Sequence, residues 1–428
     1  MVNGYRITDI GKIPCDWEIK KLRDCTKKNL TYGINAPSVN YDSKLPQYIR
    51  ITDITDDGYY NETNRVSVDN EDADRYVVHE GDILLARTGA STGKSYLYRV
   101  EDGRLVYAGF LISASIDRDK ADERFIFAQL HTERYWKWVE STSQRSGQPG
   151  INGKEYGEYL LAFPKKAEQT SIANAISDIE NLISTQEALI AKKQAIKQGA
   201  KQELLTGKRR LAKFKQGQKF QNTEVGRIPF DWKVLSLKEC CVGSLHYGVN
   251  APAIPYDEKY PCYVRITDIT DEGKYSNSDR VSVRVGFDSE FILKENDICL
   301  ARTGASTGKS YLYNILDGTM VYAGFLICAS IDSTIANADY IFNQLHTNRY
   351  WSWVKAVSQR SGQPGINGRE YGDLLLPMPS LEEQIEIAEV LQDMDREIVN
   401  QQAKLEKLRR IKSGMMDKLL TGKIRLTD

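Results

Sequence analysis

The sequence predicts an α+β chain written twice. Two similar mixed α/β globules are each followed by a long helix, and the two helices pair as a coiled coil. Three observations predict this. GKIPCDW at Gly11 returns as GRIPFDW at Gly226, ARTGASTGKSYLY at Ala86 recurs letter for letter at Ala301, and SQRSGQPGING at Ser143 recurs at Ser358, all 215 residues apart. Each half opens with short β-rich runs separated by Gly-containing loops. Each half closes with a Pro-free stretch whose apolar residues step by heptads.

The elements follow in order. Residues 48–54 alternate and are β-rich, so they read as a strand; 81–87, 95–100 and 110–116 read as three more. The loop at 89–93 then joins two strands. From Asp122 to about Thr142 the period becomes helical, with Phe125, Gln129, Trp136 and Val139 on one face and Trp138 beside it. Residues 144–153 hold three Gly and one Pro and read as loop, and a short strand near 159–163 stops at Pro164. In the long helix that follows, Ile172, Ile176, Ile179, Ile183 and Ile190 form a seam interrupted by Gln186, Lys193 and Lys197. The second helix carries Ile387, Leu391, Met394, Ile398, Leu405 and Leu408, with breaks at Gln401 and Lys412. About 38 helical residues extend about 57 Å, more than a globule of this size can cover, so a helix pair that spaces the globules is expected. The expected domains are 1–164 and 216–379 for the globules, and 165–215 and 380–428 for the helical regions.

Composition bounds the function. A chain of 428 residues has room for two or three domains, and 41% hydrophobic with 27% charged residues is a globular balance. No run of about 18 apolar residues exists, so no membrane span is expected. The opening MVNGYRITDIGKIP lacks a basic-then-apolar leader. The seven Cys form no CxxC pair, which points to reduced thiols in a cytoplasm and no zinc site. Lys plus Arg and Asp plus Glu are both 58, so any attraction to a polyanion must be local.

Three loops recur in both halves. Residues 89–95 resemble a phosphate-binding P-loop but have three residues between the glycines instead of four, and a strand follows instead of a helix, so nucleotide binding there is not expected. Arg87, Thr88, Ser91, Thr92 and Lys94, with Arg302, Thr303, Ser306, Thr307 and Lys309, can still donate to DNA phosphates, or the loop is a plain hairpin turn. The second loop carries Arg145, Ser146, Gln148 and Asn152, repeated as Arg360, Ser361, Gln363 and Asn367. Arg, Gln and Asn are the side chains that read guanine and adenine edges bidentately; a simple helix-to-strand connection is the alternative. The third loop offers Tyr32 and Asn35, repeated as Tyr247 and Asn250, as DNA contacts or as caps on the core. Lys20, Lys21, Arg23, Lys27 and Lys28 cluster nearby, more simply as a solvated face. No catalytic signature appears: there is no Pro-Pro dipeptide, no GxGxxG and no Cys/His metal spacing. His131 and His346 are the only matched histidines and sit in aromatic helical context, as core residues.

Two globules, each with a long heptad helix and related by duplication, resemble the specificity (S) subunit of type I restriction–modification systems. The residues that carry the resemblance are 223–232, 81–91, 146–152, 382–388 and the LLTGK ends of both helices. The resemblance covers essentially the whole chain and implies a DNA-reading subunit without catalysis. Each globule is then a target recognition domain facing half of a split duplex site, and the helices form an antiparallel coiled coil, with an internal pseudo-two-fold, that sets the gap. Two modification (methyltransferase) subunits dock on the chain, and two restriction subunits join for translocation and cleavage. S-adenosylmethionine, ATP and Mg belong to those partners; no cofactor and no metal is expected on this chain. The common family pattern has two different recognition domains. Here the candidate loops match, which predicts a nearly inverted-repeat site unless the divergent segments 65–81 and 280–296 read bases. The rival is a free-standing, repressor-like bivalent DNA-binding protein, distinguished by whether methyltransferase subunits co-purify.

Overall fold

The computed structural model describes residues 4–145, 147–215, 219–359 and 363–427. The chain divides into two compact units, Met1–Glu187 with Ala403–Asp428, and Ala188–Gln402. Each unit holds one globule, the part of the long helix that leaves it, and the final part of the other long helix.

The first globule is built round one strand, Asp82–Ala86, every residue of which is buried. Its alternation explains why DILLA is apolar throughout. Ile83 and Leu85 enter one core with Leu22, Phe125 and Tyr135, while Leu84 and Ala86 enter a second with Ile49, Tyr96 and Leu105. A strand buried on both faces reads as a continuous apolar run. It lies in a four-stranded antiparallel sheet ordered Thr31–Tyr32, Leu111–Ser115, Asp82–Ala86, Ser95–Leu97. A second four-stranded sheet is ordered Leu105–Tyr107, Gln47–Ile49, Val66–Val68, Ser38–Asn40, its first pair parallel. Glu18–Lys21 pairs with Leu160–Phe163, and Tyr5–Thr8 with Gly11–Pro14. The second globule repeats this order of sheets, with Asp297–Ala301 as its doubly buried strand.

Several sequence expectations are corrected here. The strand expected over 48–54 stops at Ile49, because Asp53 accepts from the Arg50 backbone and guanidinium and tightens Ile51–Asp53 into a 3-10 turn. The strand expected over 95–100 ends at Leu97. The helix expected over 122–142 is two helices, Glu123–Gln129 and Glu133–Ser143, the second started by the Thr132 side chain. That restart rotates the face: Tyr135 is buried and Trp136 is exposed. Residues 144–153 were expected to be loop to the end, but Asn152 and Glu155 form a reciprocal capping box on a further helix, Gly153–Glu158.

The long helices run Lys166–Leu205 and Leu381–Leu419. Ile179, Ile190, Ile398 and Leu405 are buried, and Ile183, Met394 and Leu408 half-buried. The seam does not serve helix pairing alone: Ile172 and Ile176 pack into the first globule, and Ile387 and Leu391 into the second. The charged interruptions pair across the helices. Lys412 meets Glu180 at 2.8 Å and Arg409 meets Glu187 at 2.8 Å in the first unit; Lys193 meets Glu397 and Lys197 meets Asp395 in the second. In each unit the residue numbers rise on one helix as they fall on the other, so the pairing is antiparallel.

The LLTGK ends close each unit. Leu419 and Leu420 lie in the first globule's core, and Leu204 and Leu205 in the second's. Beyond them, Arg425 forks onto Glu168 at 2.6 and 2.8 Å and onto Asp16 at 2.9 and 2.8 Å. The Trp17 indole donates to the same Glu168 at 3.2 Å. Arg210, Glu383, Asp231 and Trp232 repeat the clasp. Its hydrogen bonds hold the Asp16 carboxyl below the usual range and raise the Arg425 guanidinium.

Candidate nucleic-acid interface

Arg87 leaves the end of the doubly buried strand and marks the site. Its guanidinium lies 4.9 Å from the centre of the Tyr32 ring and donates to Gly109 O at 3.4 Å. Tyr32 is exposed, and its hydroxyl accepts from Gly153 N at 2.9 Å, tying the third sequence loop to the second. Gly33 is required by close approach, since a Cβ there would strike the carbonyls of Tyr107 and Ala108. Arg87 O accepts from Ile151 N at 2.9 Å, and Pro149 O accepts from Gly89 N at 3.0 Å. Gly89 sits at φ +70°, where a side chain would be strained and would meet Gln148. Beneath them, the buried Tyr156 hydroxyl donates to Ala86 O at 2.6 Å and Tyr135 to Gly93 O at 2.7 Å. Burial pushes both phenols far above their ordinary range, so they stay neutral donors.

The three loops therefore meet on one surface, with a depression of about 240 Å³ lined by Arg87, Thr88, Arg145, Gln148, Pro149, Gly150, Ile151 and Asn152. The second unit repeats the arrangement: Arg302 is 4.9 Å from the Tyr247 ring centre, Gly368 N donates to the Tyr247 hydroxyl at 2.9 Å, and Tyr371 donates to Ala301 O at 2.7 Å.

The sequence candidates now separate. Asn35 and Gln148, with Asn250 and Gln363, are exposed; Arg87, Thr88 and Ser91, with Arg302, Thr303 and Ser306, are half-buried beside them. Thr92 and Thr307 are corrected: both are buried, and their hydroxyls donate to Gly89 O and Gly304 O at 2.8 and 2.7 Å. The Lys94 and Lys309 ammonium groups pair with the exposed carboxylates of Asp56 and Asp271 at 2.8 and 2.7 Å. Arg145 braces the loop from an exposed position. One amino group donates to Thr142 O and Gln144 O, and the other forks onto Glu155 at 2.6 and 2.7 Å. Asn152 and Asn367 each cap a helix, with the side chain accepting from Glu155 N or Glu370 N. Ser146, Arg360 and Ser361 lie outside the described residues.

In the basic cluster Lys21 and Arg23 share the Glu158 carboxylate, Lys21 at 2.6 Å, and Lys20 lies over the Phe163 ring at 4.2 Å. His131 and His346 are half-buried against Phe127 and Phe342, and desolvation lowers both; His346 falls to about 4. Among the described residues no His/Cys/Asp/Glu group has metal-binding geometry, and no helix is long and apolar enough to cross a membrane. Sequence reasoning missed a fourth loop, the tight turn at Ala108–Leu111, because it was absorbed into the strand expected from residue 110. The repeated Ala-Gly-Phe before that strand was the signal.

The family model described as "Type I restriction modification DNA specificity domain" matches residues 5–197 and 230–410. The type I restriction enzyme MjaVIII specificity subunit of Methanocaldococcus jannaschii is 25% identical over 432 residues, covering 97% of this chain and 94% of that protein. The MjaIX specificity subunit of the same organism is 22% identical over 440 residues, covering 99% and 97%. Among solved structures, a type I restriction-modification system S subunit from M. genitalium aligns with a TM-score of 0.56 at 14% identity, covering 94% of this chain and 96% of that one. A chain from a structure concerned with complex assembly and conformational transition of the type I R-M system aligns at 0.55 and 15% identity, covering 96% and 99%. At such identities the two structures show a shared fold.

Proposed function

Because the chain belongs to the type I restriction–modification DNA specificity family, we propose that it reads a bipartite, nearly inverted-repeat duplex, one loop cluster per half-site. In this reading Arg87, Gln148 and Asn35, with Arg302, Gln363 and Asn250, face the DNA. Two modification subunits dock on the helices, two restriction subunits join them, and the complex works in the cytoplasm. The chain itself supplies recognition and no catalysis. The observation that carries the reading is the identity of the two loop clusters, down to the 4.9 Å Arg–Tyr stacks and the 2.9 Å amide-to-tyrosine bonds. Apolar side chains exposed on the helices support a protein-docking role: Leu182 and Ile411 in the first unit, Leu189, Ile196 and Val399 in the second.

The test is Arg87→Ala with Arg302→Ala in the complex assembled with its methyltransferase. A bidentate Arg–guanine contact is worth about 1–3 kcal/mol, so loss of base reading relaxes the site preference. Loss of a phosphate contact instead weakens all sequences and lowers the salt slope by about one per Arg. Unchanged affinity and unchanged preference would remove these loops from the interface.

A further inference from the structure

We infer that Phe110 and Phe325 are apolar base-edge contacts that recognise a thymine methyl group in each half-site; the inference rests on the proposed DNA-facing role of the loop clusters. Phe110 occupies the turn in which Leu111 N donates to Ala108 O at 2.8 Å, and Phe325 the equivalent turn, closed by Leu326 N to Ala323 O at 2.7 Å. The two rings are 57% and 58% exposed, while Leu111 and Leu326 beside them are fully buried.

The backbone that carries the rings is pinned to the site. Phe110 O accepts from Arg87 N at 3.0 Å, and Leu111 O from Gly33 N at 3.1 Å. Gly109 O accepts from the Arg87 guanidinium. Phe325 O accepts from Arg302 N at 3.1 Å, and Leu326 O from Gly248 N at 3.2 Å. Each exposed ring is thus carried by the residue whose carbonyl is bonded to the backbone of the site's half-buried Arg, beside the polar side chains of Gln148 or Gln363 and Asn35 or Asn250.

Arg, Gln and Asn match base donors and acceptors, and none of them matches the thymine C5-methyl, which proteins read by apolar contact. The aromatic ring supplies that missing chemistry on the residue whose carbonyl accepts from the Arg backbone. Removing a methyl from such a contact forfeits the burial of one carbon, roughly a fourfold change in affinity.

The experiment uses the full chain assembled with its methyltransferase subunits, on a duplex carrying the mapped site. Deoxyuridine replaces thymine one position at a time, which deletes only the methyl. Phe110→Ala with Phe325→Ala is measured beside Phe110→Leu with Phe325→Leu, which checks folding and keeps an apolar side chain. The expected result is a roughly fourfold loss for wild type at one thymine per half-site. The alanine variant, which lacks both contacts, is expected to lose roughly sixteenfold on normal DNA, with no further loss on deoxyuridine, and the leucine variant to bind near wild type. The inference is overturned by half-sites without thymine, by additive losses, or by alanine variants that bind as wild type. Loss of methyltransferase co-elution in the alanine variant also overturns it, and assigns the rings to the protein partner. If wild-type complex shows no site preference at all, it is the underlying DNA-reading proposal that fails.

Discussion

The two units keep their loop clusters alike and let the surroundings drift. Tyr32, Arg87 and Tyr156 hold their partners at distances within 0.1 Å of those held by Tyr247, Arg302 and Tyr371. Away from the clusters the halves differ sharply. Leu84 and Ser113 become Cys299 and Cys328, Met416 occupies the place of Lys201, and Asp69, Glu71, Asp72 and Asp74 become Arg284, Gly286, Phe287 and Ser289. Core packing tolerates exchange of similar volume, whereas a loop held by backbone bonds to Gly33, Gly89 and Arg87 has few alternative sequences. The difference teaches where the shared task resides: in the backbone-tied loops and the clasps.

The clasps should give the largest effect. Arg425→Ala strips the buried Glu168 of its cation, and loss of one partner from a buried ion pair costs about 3–5 kcal/mol. We expect faster hydrogen exchange in the first globule with the second unit little changed, and the converse for Arg210→Ala. A uniform loss in both would show that the two units unfold as one.

Acid should act next, and on both units, because burial lowers His131 as well as His346. His346 lies against Phe342 and is pushed down by burial and by Lys201 and Lys197, with Glu272 and Phe342 O acting the other way. Its folded value of about 4 is below the 6.5 of an unperturbed His. The unfolded chain therefore binds a proton that the folded unit refuses, and stability falls as pH drops from about 6.5 to 4, by an amount on the order of 3 kcal/mol. Hydrogen exchange of the second unit across this window checks it; no loss of protection would contradict it.

Lys201→Met should give the smallest and opposite effect. Burial and Lys197 lower the Lys201 ammonium to about 8 from 10.5, so its charge costs stability below pH 8, relieved as pH rises toward 10.5. Methionine, which the first unit has at this place, should stabilise the second unit by about 1–2 kcal/mol at pH 7. It should also raise the His346 value and flatten the acid loss; a destabilised variant would show that the ammonium holds the junction together.

The duplication, the doubly apolar strand and the long helices were legible because they are patterns of period and offset. The antiparallel register was half legible: Lys193, Lys197 and Lys412 stood out as breaks in the seam, and only the structure supplies Glu397, Asp395 and Glu180 as their partners. The split at Leu130–Thr132 was hidden by an apolar period that continues through it, although Thr132 and the Asn152–Glu155 pair are ordinary capping signals. The site was legible as three loops and obscure in its roles. Nothing in SQRSGQPGING says that the donors of Arg145 are taken by Glu155, Thr142 and Gln144, because that depends on folding the loop back over a helix start. The LLTGK ends were visible as a repeat, but their place in the cores depends on contacts hundreds of residues apart.

The central claim is that two like loop clusters read two like half-sites. Mapping methylated adenines across the host genome, with the chain and its methyltransferase expressed, tests it most directly. The account predicts one bipartite motif whose two halves are the same or nearly the same sequence on opposite strands, separated by a fixed nonspecific gap. Two unrelated half-sites would contradict it and move specificity to the divergent segments 65–81 and 280–296.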